Sequence, residues 1–139
     1  MDHEEQMLIA GFKNLKETLM PDLEVPTAKF PRISMLEAKE KLKAIGVTGE
    51  KEHDLSPEEE RALSKLIKDE TGHDFVFITD YHISVRPFYH MRHTDNPELT
   101  KSFDLLYKGI EITTGAQREH RPEILEKQAI EKGVEPDTI

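Results

Sequence analysis

The stretch FDLLYKGIEITTGAQREHR, from Phe103 to Arg121, decides the fold. Its middle, Ile110 to Thr113, has the character of a β-strand. Successive side chains of a strand point to opposite faces until a bulge or bend shifts the register, and Gly115 is the natural place for such a bend. Up to that bend, one face carries Glu111, Thr113 and Gly115, and the other carries Ile110, Ile112 and Thr114.

The same stretch concentrates polar groups that suit an anionic ligand together with a metal ion. Glu111 and a threonine hydroxyl are hard oxygen ligands of the kind that hold Mg²⁺ against phosphates. Arg118 offers a planar fork that matches a carboxylate or a phosphate. An ordinary amphipathic strand with a surface Arg–Glu pair explains the residue types equally well, so both interpretations stay open at this point.

Helices are predicted around this stretch, because capping residues precede apolar residues at helical spacing. Ser34 with Glu37 forms a capping box, and Ser56 is a further cap with Pro57 at the first helical position. The acidic run from Glu58 to Glu60 is expected to be a solvated first turn. The predicted helices begin at Asp2 (with Glu5 in its first turn), Ser34, Ser56 and Pro122, and the last three end near Gly46, Gly72 and Gly133.

Strand character also begins at Phe75, in FVFIT, and a polar loop from about His93 to Lys101 follows RPFYHM at 86–91. This order favours an antiparallel pair between RPFYHM and the opening stretch. Arg86 precedes a proline and, on residue type alone, is expected on an edge strand in a salt bridge with a helix. The predicted fold class is α+β, with a partial antiparallel sheet flanked by helices.

Length and composition exclude several classes of function. A chain of 139 residues predicts one domain with a buried core. The net charge of −9 argues against nonspecific nucleic-acid binding, because phosphate contacts need a basic patch. The absence of cysteine excludes disulfides, thiol catalysis and cysteine-based zinc sites. No segment resembles a signal peptide or a membrane span, which predicts a cytoplasmic protein with no membrane partner.

Three residues near RPFYHM have simple interpretations from residue type alone. Tyr89 is expected to be a half-buried aromatic whose hydroxyl is satisfied. His90 and His93 lie three residues apart, but no cysteine or Glu-x-x-His partner supports a metal site there. On the same basis, Asp104 is expected to accept hydrogen bonds in a turn or cap.

Three blocks occur together in one order and spacing: RPFY at 86–89, FDLLYKG at 103–109 and EITTGAQR at 111–118. They resemble the late catalytic-domain strands of class II aspartyl-tRNA synthetases of the archaeal and eukaryotic type. They resemble the related archaeal asparagine synthetases at least as closely. The resemblance implies one partial catalytic domain over 1–139, with a helix and linker (1–29), a helical insert (30–73), late catalytic strands (74–121), and a C-terminal helix and tail (122–139).

The resemblance also implies ligands for particular residues. Glu111 and Thr114 match the family pair that holds Mg²⁺ and the phosphates of ATP. Arg118 matches the arginine that grips the side-chain carboxylate of aspartate, and by the same resemblance Tyr89 and Asp104 lie near the amino-acid pocket. The implied chemistry is formation of aspartyl-adenylate from aspartate and ATP, followed by transfer to tRNA or to ammonia.

The three signature motifs of the family are not found in this sequence, which resembles a segment between motif 2 and motif 3. The arginines that these motifs supply to the ATP phosphates are therefore missing, and no residue is assigned a catalytic role. One hypothesis is a fragment or truncated paralogue of an aspartate-activating ligase, inactive alone. The alternative is a non-catalytic binding or interaction module derived from the synthetase. Exposed sheet edges are expected to favour self-association or a complementing polypeptide, whereas tRNA binding is not expected of this chain alone.

Overall fold

The computed structural model describes residues 1–135 and has the α+β fold that the sequence predicts. Within these residues a four-stranded sheet is flanked by four α-helices, none long and apolar enough to cross a membrane. The tail predicted to reach Ile139 ends outside the described residues. In chain order the elements are α1 (Asp2–Thr18), β1 (Arg32–Ser34), α2 (Met35–Ala44), α3 (Pro57–Thr71), β2 (Phe75–Thr79), β3 (Ser102–Tyr107), β4 (Ile110–Ala116) and α4 (Pro122–Glu131).

The sheet has the strand order β1-β2-β3-β4, with β1 parallel to β2 and the other neighbours antiparallel. The parallel edge strand departs from the antiparallel sheet expected from the sequence. The antiparallel pairing predicted between RPFYHM and the opening stretch is limited to one isolated bridge, because β3 pairs with β2 on one side and β4 on the other. Residues 86–91 follow a 3₁₀ turn (Ile83–Val85) as a loop, in which His90 makes an isolated bridge with Arg118.

A tight hairpin at Lys108-Gly109 connects β3 to β4. Both residues have positive φ, 48° and 83°, and Tyr107 pairs directly with Ile110. Two such residues between paired strands are typical of a type I′ turn, whose twist matches that of the strands. A side chain at Gly109 would also place its Cβ 2.9 Å from the Cα of Arg61. The hairpin therefore sets the start of β4 close against α3.

A register shift in β4 decides which of its side chains share a face. Leu105 pairs with Thr113, whereas the next residue, Leu106, pairs with Glu111. Ile112 is therefore an extra residue in β4, as in a β-bulge. The alternation that the sequence predicts therefore ends at Ile112, before the expected position at Gly115.

The bulge brings Glu111 and Thr114 to the same face of the sheet. Directly paired residues point to one face, and Asp104 pairs with Thr114, so Asp104 lies on that face as well. The expectation that Glu111 and Thr114 lie on opposite faces is therefore wrong. The bend expected at Gly115 is also wrong, because this residue pairs regularly with Phe103. A glycine fits there for another reason: a Cβ would lie 2.5 Å from the Phe103 ring.

Apolar side chains pack on both faces of the sheet. On one face, α1 contributes Leu8, Ile9 and Phe12, which pack against Phe30, Phe75, Phe77 and Leu105. The other face lies under α2 and α3, with a core of Ile33, Met35, Ala38, Leu42, Leu55, Leu63, Ile67, Val76, Ile78, Tyr81 and Leu106. Asp104, Glu111 and Thr114 share this second face, because Leu106 pairs with Glu111. The polar group therefore lies beside the α2–α3 layer.

Glu59, predicted to be solvated, is only 1% exposed. Its carboxylate accepts hydrogen bonds from the backbone amides of Ser56 and Gly49, at 2.8 and 3.1 Å, and from Lys39 Nζ at 2.6 Å. The first of these bonds completes a capping box at Ser56, where the sequence predicts a helix cap. One buried carboxylate thus ties the start of α3 to α2 and to the loop between them.

Replacing Ser56 with alanine should lower the free energy of unfolding by about 1 kcal/mol, the usual cost of losing an N-cap side chain. The reason is that the Ser56 hydroxyl accepts a hydrogen bond from the backbone amide of Glu59 at 3.2 Å. Urea denaturation measures the difference. Thr94→Ala, at an exposed loop residue, is the control and should change stability little. Equal free energies of unfolding for Ser56→Ala and Thr94→Ala would contradict the capping role of Ser56.

Candidate substrate and cation site

Arg86 and Asp104 form an ion pair at the centre of the polar face. Arg86 Nη2 lies 2.7 Å from Asp104 Oδ2, and the side chains are 13% and 9% exposed. The Arg86 guanidinium also lies 3.7 Å from the centre of the Tyr81 ring, and its Nη1 donates to Thr114 Oγ1 at 3.4 Å. The expectation that Arg86 pairs with a helix is wrong, since its partner is on β3. Sequence reasoning did not select Arg86 for the site, because its partner lies 18 residues away along the chain.

The ion pair leaves polar atoms unsatisfied. Among the described residues, Asp104 Oδ1 and Arg86 Nε are buried without a hydrogen-bond partner. Arg86 Nη2 also lacks one, so its 2.7 Å contact with Asp104 is an ion pair without hydrogen-bond alignment. Buried atoms of this kind usually have a partner, and a bound ligand is one way to supply it.

Further carboxylates surround this pair. Desolvation raises the pKa of Glu111, the charges of Asp104 and Asp54 raise it further, and the Arg86 charge opposes them. Burial also raises the pKa of Glu60, with contributions from Glu111 and Asp104. Glu60, at the start of α3, was predicted to be solvated, but it is half-buried and faces the polar group. The site is therefore rich in negative charge, with Arg86 as a positive charge that opposes it.

Tyr89 and Arg118 meet beside this face. The guanidinium carbon of Arg118 lies 4.1 Å from the centre of the Tyr89 ring, within the range of a cation–π contact. The backbone amide of Glu119 donates to the Tyr89 carbonyl at 2.9 Å, and that of Met91 donates to the Gln117 carbonyl at 2.9 Å. Residues 86–91 are thereby fastened to the segment after β4. Arg118 itself is exposed, so its fork is open to an anionic ligand.

His90 is buried near both arginines and is suited to the neutral form. Burial lowers its pKa, and the charges of Arg86 and Arg118 lower it further. Its Nδ1 atom has no hydrogen-bond partner among the described residues. His93 instead contacts Asp80, with Nε2 and Oδ1 at 2.7 Å. The two histidines therefore do not form a joint site.

Glu119 stabilises the backbone after β4, between Arg118 and the start of α4. Its side chain is 1% exposed and accepts hydrogen bonds from Arg121 Nε and Nη2, at 2.8 and 2.9 Å. The backbone amides of His120 and Arg121 donate to the same carboxylate, both at 3.1 Å. These contacts, with the Arg121 side chain foremost, lower the pKa of Glu119 to about 2. No motif or spacing in the sequence indicates this role of Glu119.

The donor set fits a divalent cation shared with phosphates. Glu111 and Thr114 present a carboxylate and a hydroxyl oxygen on the face that they share with Asp104, whose charge adds to that of Glu111. No group of three or more histidine, cysteine or acidic side chains in residues 1–135 is arranged to hold a metal unaided. Mg²⁺ commonly binds one or two carboxylates and completes its shell with water and substrate phosphates. The residues present therefore fit Mg²⁺ of that type.

The sequence-predicted site residues fall into neighbouring groups. Asp104, Glu111 and Thr114 lie together on the sheet, and Tyr89 and Arg118 lie together on the adjoining loops. The charges of Arg86 and Asp104 both act on His90, which follows Tyr89, so the groups are close in space. Their roles in binding remain predictions.

Residues 1–139 match the family model described as tRNA synthetases class II (D, K and N). The fold is thus that of a class II tRNA synthetase domain. Within that class, the chain belongs to the D, K and N family.

Individual relatives agree with this assignment. Aspartate–tRNA(Asp) ligase of Pyrococcus abyssi is 41% identical over 118 residues, 85% of this chain and 27% of the relative. Aspartyl tRNA synthetase from Entamoeba histolytica superposes with a TM-score of 0.89 at 34% identity, over 99% of this chain and 30% of that one. Asparaginyl-tRNA synthetase from the same organism, in complex with asparaginyl-adenylate, superposes with a TM-score of 0.81 at 26% identity. This superposition covers 97% of this chain and 33% of that one. The chain therefore spans a third or less of each of these proteins' length.

Proposed function

We propose that the chain is part of an ATP-dependent ligase that activates aspartate as aspartyl-adenylate, and that it is inactive alone. Membership of the synthetase family and similarity to aspartate–tRNA ligases support this proposal. The observation that carries it is the β4 bulge, which puts Glu111 and Thr114 on the face of Asp104, next to the Arg118 loop. Such bulges are frequent next to active sites, where they redirect a side chain.

Each residue of the site has a proposed role. Arg118 would bind the side-chain carboxylate of aspartate through its planar fork, with the Tyr89 ring supporting the guanidinium. Asp104 would accept a hydrogen bond from the aspartate ammonium group through its unpartnered Oδ1. Glu111 and Thr114 would hold Mg²⁺, which offsets the charge of the ATP phosphates.

In the proposed reaction, an oxygen of the aspartate α-carboxylate attacks the α-phosphorus of ATP. The new O–P bond forms as the bond to the bridging oxygen of pyrophosphate breaks, which gives aspartyl-adenylate and pyrophosphate. Such a step depends on positioning and on stabilisation of phosphate charge. The site residues of this chain would position aspartate and one side of the phosphates. The family's phosphate-binding arginines would have to come from another polypeptide or segment.

The aspartyl-adenylate would then pass to tRNA or to ammonia, the two acceptors that the family resemblance implies. We do not propose that this chain binds tRNA alone. A cytoplasmic location stays a prediction.

A non-catalytic interaction module is the alternative, and the outer edge of β4 favours it. Within residues 1–135, β4 lies at the end of the sheet with no further strand beside it. Ile110 and Ile112 on this strand are 67% and 43% exposed. Open edges with exposed apolar residues are prone to pair with another chain. A complementing polypeptide or a second copy would therefore be expected here under either hypothesis.

Calorimetry with L-aspartate, in the presence of MgCl₂ and a non-hydrolysable ATP analogue, tests the proposed site. The wild-type chain should bind aspartate more tightly than leucine, and Arg118→Ala should weaken aspartate binding roughly thirtyfold, the effect expected for a charged hydrogen-bond partner. Arg32→Ala is the matched control, because Arg32 lies on β1 at the opposite edge of the sheet. Aspartate affinity that is unaffected by Arg118→Ala would contradict the assignment.

Aspartate-dependent ATP–pyrophosphate exchange separates the ligase hypothesis from the binding module. The chain alone should show no exchange, because the arginines for the α- and γ-phosphates are missing. Exchange that requires Arg118 would contradict inactivity in isolation. If neither aspartate nor the ATP analogue binds, the interaction module is the better description of this chain.

A further inference from the structure

Gln128 is a polar residue buried where α4 meets the loop that carries Tyr89. It is 2% exposed, although glutamine usually lies at the surface. Its side-chain Nε2 donates to the Phe88 carbonyl at 2.5 Å and to the His90 carbonyl at 3.2 Å. Both protons of the amide are thus directed at one short piece of backbone.

The Tyr89 carbonyl lies between the two carbonyls that Gln128 binds, and it has a different donor. The backbone amide of Glu119 donates to the Tyr89 carbonyl at 2.9 Å. Three successive carbonyls, at 88, 89 and 90, are therefore held by Gln128 and Glu119 together. Fixing the peptide groups on both sides of Tyr89 restricts its backbone dihedrals, and so the direction in which its ring points.

The Tyr89 ring is the surface on which Arg118 rests, with its guanidinium carbon 4.1 Å from the ring centre. Arg118 is exposed, so this contact restricts an otherwise mobile side chain. A second tie between α4 and the loop, Arg92 Nη2 to Glu131 Oε2 at 2.6 Å, involves a partly exposed pair of the kind that contributes little. Gln128 therefore supplies buried hydrogen bonds from α4 to the Tyr89 loop.

We propose that Gln128 is a positioning residue that sets the orientation of the Arg118 fork through the Tyr89 loop. Gln128 does not contact the ligand. By orienting Arg118, it raises the affinity of the protein for the ligand carboxylate that Arg118 binds. The identity of that carboxylate as aspartate rests on the proposed function above, whereas the control of Arg118 by Gln128 does not.

The test compares Gln128→Met, which keeps the length of the side chain but removes both donors, with Lys127→Met on the exposed side of α4. In NMR spectra of the unliganded protein, the Arg118 side-chain protons should be shifted upfield by the Tyr89 ring current. Gln128→Met should move them toward random-coil positions, and Lys127→Met should leave them unchanged. A Tyr89→Leu variant identifies the shift that belongs to the ring.

Calorimetry adds a second measurement. Gln128→Met should weaken L-aspartate binding about fivefold, less than loss of Arg118 itself, because the fork is still present but misdirected. If Gln128→Met does not fold, Gln128→Asn is the substitute, because its shorter side chain places the amide donors farther from the loop carbonyls. Gln128→Asn should change the Arg118 proton shifts and the aspartate affinity in the same direction but by less. Arg118 shifts that are the same in the wild type and both Gln128 variants would overturn the proposal. Wild-type protein that shows the Gln128-dependent shift but no aspartate binding would support the positioning role and reject aspartate as the ligand.

Discussion

Replacing Arg86 with methionine should lower the free energy of unfolding by about 3 to 5 kcal/mol, as removal of one partner from a buried ion pair does. The Arg86 and Asp104 side chains are 13% and 9% exposed, so water would only poorly compensate the carboxylate left behind. Methionine keeps much of the aliphatic volume over the Tyr81 ring, which limits the loss of packing. The main cost is therefore the uncompensated charge.

The same substitution should make stability depend more strongly on pH. Arg86 opposes the rise in the pKa of Glu111, and Glu60 also has a raised pKa beside the same carboxylates. A group whose pKa is raised in the folded state destabilises the fold above its unfolded pKa and less so as falling pH protonates it. The cost of Arg86→Met should therefore be largest near neutral pH and shrink toward pH values of about 4.

A double-mutant cycle isolates the pair. Asp104→Asn alone leaves a buried guanidinium without its anion, whereas the double variant removes both charges. The double variant should be more stable than the sum of the single changes predicts, by roughly 2 kcal/mol or more. Arg92→Met, which breaks the more exposed pair with Glu131, is the control and should cost less than about 1 kcal/mol. Additive single changes at 86 and 104 would contradict the buried pair.

Local features of the fold are those that the sequence predicted well. The capping boxes at Ser34 and Ser56 form, and Gly72 ends α3 with a positive φ of 77°. These outcomes depend on contacts between residues three or four positions apart, which composition and spacing reveal directly. Glu5 shows where local reasoning fails. It was expected in a capped first turn, but it is buried and accepts a hydrogen bond from the Phe30 amide at 3.0 Å.

The site depended on features that no local pattern reveals. Alternation alone placed Glu111 and Thr114 on opposite faces, and only the extra residue Ile112 brings them together. The resemblance to a family assigned both residues to one site, and their shared face agrees with that prediction, whereas periodicity alone does not. Arg86 and Glu60 were missed for the same reason: their neighbours come from other strands and helices. The sequence thus indicated most of the candidate site residues. The fold shows which charged side chains lie close together, such as Arg86 with Asp104.

Replacing Glu119 with glutamine should lower the free energy of unfolding at pH 7 by about 2 to 3 kcal/mol. The contacts with Arg121 and two backbone amides lower the Glu119 pKa from 4.5 to about 2. A shift of that size corresponds to about 3 kcal/mol, and the half-exposed Arg121 partner reduces it through solvent screening. Glu126→Gln, at an exposed position of α4, is the control and should have little effect.

The pH dependence gives the sharper test. A group with a lowered folded-state pKa stabilises the protein above its unfolded pKa and loses that contribution as pH falls through the folded value. The difference between wild type and Glu119→Gln should therefore be constant from pH 7 down to about 5 and diminish between the unfolded value of 4.5 and about 2. Urea denaturation over this range measures it. A difference that persists at the acidic end would mean that Glu119 contributes through packing and neutral hydrogen bonds. In that case its charge would not be what holds the chain in place after Arg118.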